Sequence, residues 1–215
     1  MTLETVGDGS PSAQSGLNDV RFIGAVQGRY VLSGRRAGAD GKPAVYACRL
    51  CSISTSVAVL IGPVVGAPGE KITAHFEPFG ILHGTVGHKV TDGFAMDLVL
   101  SEAERNALIG KIVWQRRRAT KQAPDKRTHK RFAPRDPRTI LTLRDGRRIP
   151  GFVIDVSASG VAVSAELSPD LGTPMIVGKM VGYVVRRLEV GFALKFAEPR
   201  EYEQLETLLT TPDQQ

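Results

Sequence analysis

From about residue 20 onward, short runs of alternating apolar and polar residues are broken by clusters of glycine, proline and aspartate. A period of two bounded by such breaks predicts short strands that bury one face. The first series covers Arg29–Ser33, Ala44–Ile53, Ser56–Ile61, Lys71–Phe76, Gly80–Lys89 and Gly93–Val99. The pattern then changes. Ser101 is a good N-cap with Glu104 at the capping-box position, and Leu108, Ile109, Ile112 and Val113 recur at helical spacing, so a helix is predicted, with Pro124 as a stop. A second strand series follows: Arg138–Arg144, a turn at Asp145-Gly146, Arg147–Ser157, Gly160–Ala165, Met175–Val177, Lys179–Arg187 and Val190–Phe196. A short helix over Glu198–Leu209, with Tyr202, Leu205, Leu208 and Leu209 on one side, closes the pattern. Residues 1–18, rich in Gly, Ser, Thr and Asp without periodicity, read as a disordered tail.

The two series are copies of each other. Ser52-Ile53-Ser54-Thr55-Ser56-Val57-Ala58-Val59 matches the run from Asp155 to Val163, and Gly93-Phe94-Ala95-Met96-Asp97-Leu98 matches Gly191-Phe192-Ala193-Leu194-Lys195-Phe196. Each copy ends in a helix, which predicts two domains of one mainly β, antiparallel fold, a sandwich or a small barrel. The expected boundaries are 19–115 for the first domain, 116–130 for a linker and 127–210 for the second domain.

Composition fits this picture: 42% hydrophobic residues suffice for a core, and 23 Gly and 13 Pro suit many turns. The net charge of +6 is uneven. Between Lys111 and Arg138 stand eleven Lys and Arg against two acids, Asp125 and Asp136. A local anion site explains that better than general basicity. No run approaches the ~20 apolar residues of a membrane helix, and the first residues lack a signal peptide's basic and apolar regions. A cytoplasmic protein with reduced thiols is expected.

Two motifs stand about twenty residues apart in the second copy. One is Arg131-x-x-x-Arg135, inside a basic run that begins at Lys126, and the other is Asp155-x-Ser157-x-x-Gly160. Arginine grips phosphate bidentately, stacks on flat rings and is the commonest partner of guanine O6 and N7. Pro134 stiffens the segment between the two arginines. Ionised Asp155 accepts from a guanine donor edge, and Ser157 adds a hydroxyl. Gly160 lets the turn adopt a positive φ, or lets a ligand approach the backbone closely. Each motif alone has a plain explanation, a solvated basic face and a common turn composition. Arg116, Arg117 and Arg118 likewise suit a helix C-terminus with no ligand at all.

Together, in this order and around a predicted hairpin, the motifs resemble those of PilZ domains, bacterial receptors for cyclic di-GMP. The resemblance spans about Lys126 to Pro199, including the closing strand Val190–Phe196, and residues 20–115 resemble a degenerate second copy. It implies two six-stranded antiparallel β-barrels, each followed by a helix, and a non-catalytic receptor with no cofactor besides its nucleotide ligand. In that reading Arg131 and Arg135 hold phosphate and guanine, while Asp155, Ser157 and Gly160 line the opposite side. Lys130 and Arg127 are flanking candidates. Lys130 departs from the family, where a second consecutive arginine is common. The first copy has Ser52 in place of Asp155, no residue aligned with Gly160 and no arginine pair around Phe22–Val26, so it reads as a scaffold, dimerisation or output module. Nucleotide binding is expected to draw the basic linker onto the barrel and reorient the domains, signalling to a downstream protein, with homodimerisation left open.

Other constellations carry less. Cys48-x-x-Cys51 falls in a predicted strand, where residues three apart face opposite ways, so it reads as two separate thiols rather than a redox pair or metal site. The four histidines form no catalytic pattern. Trp114 reads as a packing residue at the domain junction. The rival function is a nucleic-acid-binding or protein-interaction module using the basic linker. Too few aromatics for a stacking platform and no recognition helix argue against nucleic acid.

Overall fold

The computed structural model describes residues 20–37, 41–91, 93–118 and 131–210. The expected tail 1–18 lies outside them, as does most of the expected linker. The first strand series forms β1 (Phe22–Ala37), β2 (Lys42–Ile53), β3 (Val57–Ile61), β4 (Lys71–Phe76), β5 (Gly80–Val90) and β6 (Gly93–Leu98), followed by α1 (Glu102–Arg118). The second forms β7 (Arg138–Thr142), β8 (Arg148–Ser157), β9 (Gly160–Ala165), β10 (Pro174–Val177), β11 (Met180–Leu188) and β12 (Gly191–Phe196), followed by α2 (Tyr202–Leu209). Each set closes into an antiparallel barrel. Around the first the order is β1-β2-β3-β6-β5-β4, and around the second β7-β8-β9-β12-β11-β10, the same path through six strands.

The strand alternation places the cores. In β4, Ile72, Ala74 and Phe76 are buried while Lys71 is exposed, and in β11 Met180, Gly182 and Val184 are buried between exposed Val181, Tyr183 and Val185. The repeated Gly-Phe-Ala has a packing cause. A Cβ on Gly93 would lie 2.0 Å from the Leu60 carbonyl oxygen, and one on Gly191 2.1 Å from that of Val163. Both glycines let the last strand of a barrel cross close over the third.

The helices close the barrels. In α1 the Ser101 amide donates to Glu104 Oε2 at 2.8 Å and the Glu104 amide to Ser101 Oγ at 3.3 Å, a complete capping box. The hydroxyl of Ser101 donates to the Glu104 carboxylate as well, and these bonds hold that carboxyl below its usual range. Leu108 and Ile112 sink into the first core. The helix runs through Arg118, so Arg116–Arg118 of the expected linker form its last turn. Trp114, expected to pack at the domain junction, is 51% exposed. The second helix begins at Tyr202, four residues later than its pattern suggested, and buries Leu205 and Leu209. No helix among the described residues is long and apolar enough to cross a membrane.

The barrels pack together through β2 on one side and β8, β9 and the segment before β7 on the other. Ala47, Ile61 and Phe152 form a buried cluster of their own. The Ala47 amide donates to Ser164 Oγ at 3.0 Å, and Arg49 donates to the carbonyls of Pro134 and Arg135. At the rim, Arg29 pairs with Glu189 and Arg35 with Glu166. The burial of β2 reflects these two partners: from Tyr46 to Leu50 every residue is buried, one face by its own barrel and the other by the second.

Candidate functional site

The hairpin from β8 to β9 turns on Ala158-Ser159, with Ser157 opposite Gly160 and Asp155 opposite Ala162. A bulge between Val153 and Asp155 resets the strand just before the carboxylate. Ser157 Oγ lies 3.3 Å from the Gly160 carbonyl, to which it donates, so its hydroxyl braces the turn. Gly160 is a correction to the sequence reading. Its φ is not positive. It is a glycine because the β12 backbone passes close: a Cβ there would stand 2.4 Å from the Leu194 carbonyl oxygen.

The segment before β7 reaches this hairpin. Phe132 and Val156 exchange backbone bonds of 3.1 and 2.9 Å, and the Phe132 ring lies 5.9 Å from that of Tyr202 in α2. Arg131 is thereby set beside Asp155, with Nη1 3.5 Å from Oδ1 and both side chains partly exposed. An exposed pair of this kind is worth only about 0–1 kcal/mol, so an incoming anion can take over the guanidinium at little cost.

Arg131, Asp155, Ser157, Ser159 and Gly160 line one open groove of about 430 Å³, whose far wall carries Arg186 and Lys195. Lys195 pairs with Gly160 across β12 and β9, and Arg186 sits at a bulge in β11. The lining therefore presents three cations and one carboxylate, a set that can hold phosphate while accepting from a base edge.

The other predicted residues lie elsewhere. Arg135 is exposed and is not part of the groove lining; its amide donates to Glu206 Oε1 at 2.6 Å. Lys130 and Arg127 lie outside the described residues.

No protein-family model matches the chain, and no curated protein matches it. Several solved structures are similar in chain course. PlzA of Borreliella burgdorferi in complex with c-di-GMP is 13% identical over 86% of this chain and 85% of that one, with a TM-score of 0.30. The inhibitor of motility MotI/DgrA of Bacillus subtilis is 14% identical over 87% and 94%, with a TM-score of 0.28. YcgR from Escherichia coli in complex with c-di-GMP is 14% identical over 90% and 82%, with a TM-score of 0.25. Two six-stranded barrels of one topology, each followed by a helix, fit a tandem of PilZ-like domains.

Register now aligns the two copies residue by residue. Phe22 pairs with Ile53 as Phe132 does with Val156, and Val57 pairs with Asp97 as Gly160 does with Lys195. Arg21 therefore corresponds to Arg131, and its Nη2 donates to Ser52 Oγ at 2.8 Å, where the second barrel has Asp155. Sequence comparison missed Arg21, because the match begins one residue before the stretch that lacks arginines. The other equivalent positions differ as well: Ala25 stands at the place of Arg135, Asp97 at that of Lys195, and Val57 at that of Gly160, which corrects the expectation that the first copy has no residue aligned there. Arg186 and Lys195 were also missed. The pairing of Lys195 with Gly160 would have exposed one of them, since the repeat already set Asp97 against it.

The cysteines behave as separate thiols. Cys48 is buried and desolvation pushes its thiol well above the ordinary range, while Cys51 is half-buried.

Proposed function

We propose that this protein is a non-enzymatic receptor for cyclic di-GMP, bound in the groove of the second barrel, and that binding is a signal passed to a downstream protein. The observation that carries the reading is the convergence of Arg131, Asp155, Ser157 and Gly160 on one groove from two separate sequence motifs. Its volume lies in the ~300–1,000 Å³ range of small-ligand sites. Arg131, Arg186 and Lys195 hold the phosphates, and the Asp155 carboxylate accepts from guanine N–H groups. Arg135, and Lys130 and Arg127 just ahead of Arg131 in the sequence, are the further cations this reading calls on. The first barrel, with Val57 and Asp97 at the corresponding places, does not bind.

In this reading the switch lies in the basic run ahead of Phe132, whose charges the nucleotide neutralises, rather than in a swing of whole barrels. Phe132, Pro134 and Arg135 are already fastened by their main chains, and the barrels share a buried interface. A polyanion neutralises the charges ahead of Phe132 and adds contacts to one arrangement only, which is the differential affinity a switch needs.

Calorimetric titration of the full chain with cyclic di-GMP in moderate salt tests the reading. Heat is expected from the wild type, and none from Arg131→Ala or Asp155→Ala. Cyclic di-AMP, lacking the guanine donor edge, should bind weakly. Affinity that falls steeply with salt and ignores the base would mark non-specific polyanion binding. A wild type that gives no heat with cyclic di-GMP sinks the proposal.

A further inference from the structure

We infer that Arg49, in β2 of the first barrel, is a positioning residue for the nucleotide site of the second barrel. The inference rests on the receptor reading above and assigns the first barrel a part in it: a barrel without a site of its own shapes the site of its neighbour.

Arg49 is 8% exposed, on the outward face of β2. Its Nη2 donates to the carbonyl of Pro134 and its Nη1 to that of Arg135, both at 2.6 Å. Both carbonyls lie within the Arg131-x-x-x-Arg135 motif. A planar fork with fixed donors matches two successive carbonyls, whereas a lysine ammonium would be a single point donor. Burial lowers the guanidinium's pKa, opposed by the nearby carboxylates of Asp136 and Glu206.

The peptide units of the motif are gripped from three directions. Phe132 is bonded to Val156 in β8, the Arg135 amide to Glu206 in α2, and the Pro134 and Arg135 carbonyls to Arg49. Of the three, only Arg49 comes from the other barrel. Arg131 precedes the first anchored residue, and its reach to Asp155 depends on where that main chain lies. Arg49 itself does not line the groove. By linkage, a nucleotide that favours the seated segment also strengthens the grip of Arg49 on it.

Arg49→Lys and Arg49→Met in the full chain, each examined by calorimetry with cyclic di-GMP and by hydrogen–deuterium exchange, test the inference. Losing charge-assisted hydrogen bonds to the segment should weaken binding roughly tenfold. Without nucleotide, amide exchange should rise over residues 132–136 while β9 and β12 keep their protection. In the wild type the nucleotide should also slow exchange over residues 47–51 in β2. That distant effect should vanish in Arg49→Lys while protection of residues 155–160 survives, a pattern that general destabilisation does not produce. Wild-type affinity in both variants, unchanged exchange over 132–136, or a uniform rise through both barrels overturns the inference. A wild type that does not bind the nucleotide refutes the receptor reading instead, and exchange over 132–136 without nucleotide still decides whether Arg49 holds the segment.

Discussion

At the scale of single residues, the two barrels differ where one atom decides. Gly160 leaves room for the Leu194 carbonyl, and a methyl group there has to displace backbone. Gly160→Ala is expected to cost about 1–3 kcal/mol by overpacking, measured by urea unfolding, and to weaken nucleotide binding as β9 shifts. Cys48 and Cys51 separate on the same principle of surroundings. With Cys48 buried and its thiol pushed up by desolvation, iodoacetamide at pH 8 should modify Cys51 in the folded chain and leave Cys48 intact until unfolding, as read by mass spectrometry. Comparable labelling of both thiols would contradict this packing. The cysteine spacing was legible early; that one thiol is sealed follows from the side of β2 it occupies.

At the scale of elements, local sequence did most of the work. The capping box of α1 is complete in the structure, and Ser101→Ala should lower stability by about 1 kcal/mol in equilibrium unfolding. The short segment before β7 is less self-sufficient. Asp136 binds its own chain through Arg138: Oδ1 accepts from the Arg138 amide at 3.0 Å, and the guanidinium closes on both oxygens. Burial alone would raise this carboxyl's pKa, but the Arg138 bonds outweigh it and hold the group below its ordinary value. A depressed folded pKa means that the contribution is present above the unfolded pKa of about 3.9 and is lost as pH falls through the folded one. Asp136→Asn should therefore be less stable than wild type at neutral pH, with the difference shrinking below about pH 4. A gap that persists unchanged in acid would show that the ionised carboxylate is not the cause.

At the scale of the whole molecule, the interface makes the two barrels one unit. Phe152 points away from its own core and is buried because the first barrel covers it. Phe152→Ala should cost about 3–5 kcal/mol, and calorimetry should then resolve separate transitions for the two barrels where the wild type shows one. Ser164 accepts from the Ala47 amide in a fully buried setting. Removing its hydroxyl in Ser164→Ala should cost about 1–3 kcal/mol by orphaning that amide. The exposed pairs Arg29–Glu189 and Arg35–Glu166 should contribute no more than about 1 kcal/mol each.

The chain's own order of residues determined the strand alternation, the doubled Gly-Phe-Ala motif, the cap of α1 and the two motifs of the groove. These depend on neighbours a few positions away or on a repeat, and both are visible in one dimension. Barrel closure and the meeting of two packed barrels decided the rest. Arg186 and Lys195 became wall residues because β11 and β12 curve past β9, and Arg21 emerged as the counterpart of Arg131 through strand register. Arg49 reads as an ordinary polar position in a strand until a second barrel buries its outer face. Pairings across 85 and 86 residues of chain leave no periodic trace, because they are set by which surfaces touch after each barrel has formed.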